Sequence, residues 1–226
     1  SDKYFFMNKN FKCVIFDLDG TLIDSGPDLL NSLNHVLKIE GLEKVSKNVL
    51  GNLVGGGAEV MIRKGFQHLG FNFDESKMNG YVSDFLEFYM KNCINETKLY
   101  DDVESTLKYF CDKKIKICIC TNKKQYLTDK IISGFNIGKY FELVLGSSEK
   151  MRLKPDQEML KYCIDYTKYN PEQCIMIGDS DNDIVPANEL GILSVYVNYG
   201  YGTLSKNVKP NYEVKSVKEI IQVLEN

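Results

Sequence analysis

The sequence predicts an α/β protein: a parallel, doubly wound, Rossmann-like sheet carrying an inserted α-helical cap domain. Three observations predict it. Short apolar runs of strand length alternate with helix-length amphipathic segments, the pattern of a parallel sheet with crossover helices. Each of the main runs ends in a polar residue suited to chemistry. One long stretch between the first two runs breaks the alternation and shows only helical periodicity.

The first run is Phe11-Lys12-Cys13-Val14-Ile15-Phe16, which ends in Asp17. Ile115 to Cys120 is the second and ends at Thr121. Cys174 to Ile177 is the third and ends at Gly178-Asp179. Leu193 to Val197 is a fourth, and Glu142 to Leu145 is weaker. Helical spacing covers Val103–Cys111, Tyr126–Ser133, Glu158–Thr167 and Ile184–Leu190, the last stopped by Gly191. From Asp24 to about Glu96 three helices are expected. Leu29, Leu30, Leu33, Val36 and Leu37 stripe the first, Val54–Phe66 forms the second, and Val82, Phe85, Leu86 and Tyr89 mark the third. That stretch is too long for a simple crossover. The expected domains are a core of residues 11–23 and 97–226 and a helical cap of residues 24–96.

Composition narrows the function. Charged residues are 26% of the 226, and the net charge is -3, with no Lys/Arg-rich run, so no nucleic-acid footprint is expected. No stretch approaches ~18 consecutive apolar residues, so no membrane span is expected. The seven cysteines show no disulfide or zinc spacing. Cys13, Cys118, Cys120 and Cys174 read as small core residues in a reducing, cytoplasmic setting. The two histidines, His35 and His68, sit in no motif, which argues against a Ser-His-Asp triad. Residues before Met7 read either as an alternative start or as added sequence. A monomer and a homodimer are both open.

In open α/β sheets ligands bind beyond the carboxyl ends of the strands. Those ends here carry Asp17-Leu18-Asp19-Gly20-Thr21, then Thr121-Asn122-Lys123, then Gly178-Asp179-Ser180-Asp181-Asn182-Asp183, with Lys154-Pro155 in a loop between the last two. Asp and Gly are common turn formers, so the first group alone also reads as an acidic turn. Anion, hydroxyl, cation and anion at one sheet edge point instead to phosphoryl transfer. A carboxylate nucleophile and a phosphate dianion repel, and Mg²⁺ with oxygen ligands removes the repulsion. Asp17 and Asp179 are the expected side-chain ligands, with Asp19 adding its backbone carbonyl. Asp17 is the expected nucleophile, forming an aspartyl-phosphate. Asp19 is the expected general acid and base. Lys154, the Thr121 hydroxyl and the Asn122 N–H are the expected phosphate clamps. Asp181 reads as a surface loop residue.

These motifs, in this order and from about Phe11 onward, resemble those of the haloacid dehalogenase superfamily in its phosphatase branch. The resemblance implies that Asp17, Asp19 and Asp179 hold Mg²⁺ and that Asp183 orients Lys154. It implies that the helical insertion is a cap. Within the superfamily the chain is similar to the phosphoglycolate phosphatase group in three places. Leu53-Val54-Gly55-Gly56-Gly57-Ala58 resembles that group's cap substrate loop, Thr121-Asn122-Lys123 its Thr-Asn-Lys motif, and Tyr199-Gly200-Tyr201-Gly202 its late Tyr-Gly-Tyr signature. The second would put Lys123 near the site mouth. Asp101-Asp102 stands where the family often has Pro-Gly, and Asp156-Gln157 follows Lys154-Pro155 where a second proline is common. The implied activity is hydrolysis of a small phosphorylated metabolite, 2-phosphoglycolate first. A pyrophosphatase, a sugar-phosphate phosphatase or phosphomutase, and a silent binding or regulatory protein are the alternatives. Thr21 favours hydrolysis over mutase chemistry, and the complete residue set argues against silence.

Overall fold

A computed structural model describes residues 11–225. The segment before Met7 lies outside them. The chain divides into two compact units, one running to Ile23 and resuming at Leu99, the other spanning Asp24–Lys98.

The first unit is a six-stranded sheet, β5-β4-β1-β6-β7-β8, with every pair parallel. Its strands are β1 Cys13–Phe16, β4 Lys116–Lys124, β5 Leu143–Ser147, β6 Cys174–Gly178, β7 Leu193–Val197 and β8 Tyr212–Val214. Two further short strands, β2 (Ile23–Asp24) and β3 (Lys98–Leu99), pair where the chain leaves and re-enters this unit. The helices are α5 Val103–Asp112, α6 Gln125–Gly134, α7 Glu158–Thr167, α8 Asp181–Leu190 and α9 Val217–Glu225. All four residues of β1 and all five of β6 are buried, as expected of strands covered on both faces. Cys13, Ile15, Cys118, Cys120, Cys174 and Met176 pack with Met159, Leu160 and Cys163 of α7 on one face. Phe16 points to the other and lies against Phe110 of α5, ring centroids 6.3 Å apart. The cysteines expected in the core are fully buried.

The order places β1 between β4 and β6, the point from which the sheet is wound in opposite directions. Asp17 and Asp179 therefore directly follow β1 and β6, and Thr121 lies in the last part of the adjacent β4.

The second unit holds α1 Gly26–Ile39, α2 Leu50–Leu53, α3 Gly57–His68 and α4 Met78–Asn92. Leu30, Leu33, Val36 and Leu37 of α1, Met61, Ile62 and Phe66 of α3, and Tyr81, Phe85 and Tyr89 of α4 form its core. Gly65 lets α1 approach α3, since a Cβ there would lie 2.9 Å from Leu33 Cδ1. His35 is half-buried and its ring stacks on Phe88 at 4.3 Å, while His68 is exposed. Asp28, 1% exposed, closes this unit on itself. Its carboxylate accepts from Glu96 N (2.9 Å), Thr97 N (2.8 Å) and Thr97 Oγ1 (2.7 Å). Among the described residues no helix is long and apolar enough to cross a membrane.

Four sequence expectations need correction. The second helix of the insertion begins at Gly57 rather than Val54, because Gly55, Gly56 and Gly57 all take positive φ (113°, 78° and 88°), which stops a helix from continuing through them. Helix α8 begins at Asp181 rather than Ile184, started by a Ser180–Asp183 capping box. Asp181 is thus not a plain loop residue; it accepts from Ser205 N at 2.9 Å. Strand β4 continues to Lys124 through a register shift after Cys120, so Thr121-Asn122-Lys123 lies in the irregular end of the strand, not beyond it. Strand β8 and helix α9 add to the predicted set. Asp102, which stands where the resembled family often has glycine, takes φ 64° at the start of α5.

Candidate active site

Local sequence explains how each group arrives at the sheet edge. The last residue of β1 is Phe16, and Asp17 N still donates to Ile177 O of β6 at 2.9 Å. The chain then turns tightly: Thr21 N, Leu22 N and Ile23 N all donate to Leu18 O. Gly20 takes φ 78° in this turn. A Cβ there would lie 2.2 Å from Asp179 Oδ2, so only glycine brings the two loops this close.

Lys154 is the centre of the arrangement. Its side chain is 1% exposed. Its Nζ donates to Asp183 Oδ1 (2.6 Å), Cys120 O (2.6 Å) and Asp17 Oδ1 (3.1 Å). Asn122 fixes the loop that presents it: Asn122 Nδ2 donates to Lys154 O at 2.8 Å, and Lys154 N donates to Asn122 Oδ1 at 2.9 Å. Asp183 uses its other oxygen to accept from Asp179 N (3.0 Å) and Ser180 N (3.2 Å). The helix cap of α8 and the anchor of the lysine are one carboxylate.

Asp179 is held from a third direction. Its Oδ2 accepts from Tyr201 N (2.8 Å) and Gly202 N (3.0 Å). Tyr199 Oη donates to Thr21 O at 2.7 Å. The Tyr199–Gly202 segment therefore braces both acidic loops, a role sequence reading did not assign because it depends on backbone donors. Its glycine spacing was the available signal. A Cβ on Gly200 would lie 2.3 Å from Gly20 O and 2.5 Å from Asp179 Oδ2. Gly200→Ala is expected to force these loops apart. It should raise the Mg²⁺ concentration needed for half-maximal thermal stabilisation by about 10-fold or more, on the scale seen when partners of metal ligands are removed. Unchanged Mg²⁺ titration of the melting temperature would show that the brace is dispensable.

Charge in this cluster is unbalanced. One oxygen from each of Asp17, Asp179 and Asp183 lies within 4.8 Å of the others. Burial, then the neighbouring Asp183, push Asp17 well above the usual carboxylate range, with Lys154 pulling the other way. Burial and then Asp183 push Asp179 up to about 7, against the Gly202 N–H that favours its charged form. Burial works against the Lys154 ammonium, yet Asp17 and Asp183 hold it above the usual lysine value. Three carboxylates around one ammonium leave room for a further cation.

The donor set fits Mg²⁺. All the groups are hard oxygens, and Asp183 is committed to Lys154 and to two N–H groups. Asp17 and Asp179 each keep one oxygen outside the contacts described above, and Asp19 lies two residues on. Thr121 is buried, and its Oγ1 accepts from Lys123 N at 3.1 Å. Lys123 Nζ donates to Asp19 Oδ1 at 2.7 Å. Thus Asp17, Asp179, Asp183 and Lys154 form one interlocked cluster, with Thr121, Asn122 and Asp19 at its border. Gly55–Ala58 belongs to the helical unit.

A Rossmann-like sheet with a buried, lysine-braced carboxylate cluster at its switch point defines an enzyme with an acidic active centre. The family model described as haloacid dehalogenase-like hydrolase matches residues 14–197, and the chain belongs to that family. It is 35% identical over 191 residues to a phosphoglycolate phosphatase of Colwellia psychrerythraea, covering 83% of this chain and 84% of that one. It is 32% identical to one from Agrobacterium fabrum, covering 83% and 80%. Among solved structures it is similar to a predicted phosphoglycolate phosphatase from Haemophilus somnus. That structure has a TM-score of 0.85 and 29% identity, with 95% of this chain and 98% of that chain covered.

Proposed function

We propose that this phosphatase hydrolyses a small phosphate monoester, 2-phosphoglycolate first among them, in a Mg²⁺-dependent reaction through a phosphoryl group carried on Asp17. The observation that carries the reading is the Asp17–Lys154–Asp183 chain of ion pairs, which fixes one carboxylate beside a buried cation at the end of the central strand. The names of the relatives, phosphoglycolate phosphatases, support the choice of substrate.

The chemistry divides among this chain's residues. Asp17 attacks phosphorus in line, and the bond from phosphorus to the ester oxygen breaks. Asp19 gives its proton to the departing alkoxide. It then takes a proton from the water that attacks the phosphoryl group, returning Asp17 as a carboxylate and releasing inorganic phosphate. The Thr121 hydroxyl and Asn122 N–H donate to phosphoryl oxygens, and Lys154 balances their charge. Mg²⁺, held by Asp17, Asp179 and the Asp19 carbonyl, would cancel the repulsion between nucleophile and phosphate. The helical unit of residues 24–96 is assigned the cap role, and its Gly55-Gly56-Gly57-Ala58 turn is the segment assigned to substrate reading.

The test is an initial-rate panel with Mg²⁺ and with EDTA. Phosphoglycolate is expected to give the highest kcat/KM, and EDTA to abolish release of phosphate. Faster turnover of pyrophosphate or a hexose phosphate would replace the substrate assignment. No Mg²⁺-dependent release from any ester would overturn the reading.

A further inference from the structure

The mechanism above uses Lys154 and leaves a second nearly buried lysine without a task. Lys123 has a side chain only 5% exposed, and its Nζ lies 2.7 Å from Asp19 Oδ1. Solvated surface lysines do not sit this way, because burying an ammonium is costly unless a charge faces it. Its neighbour Lys124 is exposed. The backbone explains the difference. The register shift after Cys120 and the Lys123 N–H bond to Thr121 Oγ1 turn residue 123 inward at the strand end. A cation has been placed on the carboxylate assigned to the leaving oxygen.

We propose that Lys123 reads the substrate's own carboxylate, waiting on Asp19 until that carboxylate arrives. The inference rests on the phosphoglycolate reading and adds the residue that selects for it. The geometry follows from the roles. Asp19 must come within hydrogen-bond reach of the ester oxygen to protonate it. The Lys123 ammonium, bonded to Asp19, then lies about two hydrogen-bond lengths from that oxygen. In a 2-phosphorylated 2-hydroxy acid a single carbon separates the ester oxygen from a carboxylate. An ammonium carries three donor hydrogens in a flexible geometry, so it can bridge two carboxylates or pass from one to the other. A substrate with the carboxylate engages Lys123 and loosens its hold on Asp19, which frees that group for proton transfer. An ester without one leaves the ion pair intact. Selectivity and acid catalysis are thereby coupled through one side chain, and the chemical class selected is the α-carboxylated phosphate ester.

The experiment compares kcat/KM for 2-phosphoglycolate with that for ethyl phosphate, in the wild type, Lys123→Met, Lys123→Gln, Lys123→Arg and Lys124→Met. The ratio of the two substrates within one preparation is independent of how much protein is correctly folded. The wild type is expected to favour phosphoglycolate. Lys123→Met and Lys123→Gln should each lower that preference by about 10- to 100-fold, the scale of a hydrogen bond to a charged group. The loss should appear chiefly in KM for phosphoglycolate. Lys123→Arg should restore part of the preference, and Lys124→Met should leave it unchanged. A wild-type preference that survives Lys123→Met and Lys123→Gln would overturn the role of Lys123 and leave the phosphoglycolate reading standing. A wild type without any preference for the carboxylated ester would overturn both.

Discussion

Asp17→Asn is expected to lower kcat by at least about 10⁴-fold, the scale on which hydrolases lose rate when the nucleophile is removed. The amide keeps the shape of the carboxylate but is too weak a nucleophile to displace an alkoxide from phosphorus. The fold should not suffer. Lys154 retains Asp183 at 2.6 Å and Cys120 O at 2.6 Å after the change. Asp17 is already held well above the usual carboxylate range by burial and by Asp183. Its ionised form is therefore a burden on the metal-free protein, and the variant should melt in EDTA at the same temperature as the wild type or higher. Rapid acid quench during turnover should trap a phosphoryl adduct on the wild type and none on the variant. Turnover above about 1% of wild type would move the nucleophile elsewhere, since one part in a hundred is far more than a site lacking its attacking group retains.

Lys154→Met should act on stability as much as on rate. The substitution leaves the carboxylates of Asp17 and Asp183 facing a methyl group in a buried setting. Breaking one partner out of a buried ion pair costs about 3–5 kcal/mol. For a chain of this size that corresponds to a drop of roughly 6–20 °C in melting temperature. The cost should depend on pH in a defined direction. A carboxyl whose folded pKa lies above its unfolded value favours the folded state while protonated, and that contribution is lost as pH rises through the folded value. Asp17 is such a group, and without the lysine its pKa rises further. In EDTA the gap between wild type and variant should therefore be smaller at pH 5 than at pH 8. A gap that is constant, or wider at pH 5, would mean that Lys154 stabilises through packing of its stem rather than through its charge.

How much of this was legible in the sequence depended on the kind of signal. The strands were visible because β1 and β6 are buried on both faces and must be apolar throughout. Once the sheet was parallel, Asp17, Thr121 and Asp179 had to share an edge. The placement of Lys154 against Asp183 rested on family likeness, since 29 positions separate them and no local period links them. The grip on Asp179 was not legible at all, because Tyr201 and Gly202 donate through backbone N–H groups that any residue but proline possesses. The Asp28 clasp was hidden for the related reason that its partners lie 68 and 69 residues away. The early start of α8 was different. Ser180-x-x-Asp183 is a recognisable helix-start pattern, masked here by reading the acidic run only as chemistry. Helix α9 was likewise available from Val217 and Ile220, both buried.

The central place of β1 has a consequence for how the molecule is made. Cys13–Phe16 are synthesised well before their pairing partners on either side, Lys116–Ile119 and Cys174–Ile177. The second partner follows roughly 160 positions later, on the order of ten seconds or more of synthesis. Until Lys116–Ile119 emerge both edges of this apolar strand are open, and one stays open until Cys174–Ile177 follow, the condition in which nascent chains misassociate. The helical unit stands in contrast. It is contiguous in sequence, its helices pack on near neighbours, and Asp28 can seal it as soon as Glu96 and Thr97 emerge. The strand that ends at Asp17 is thus made long before it can be completed.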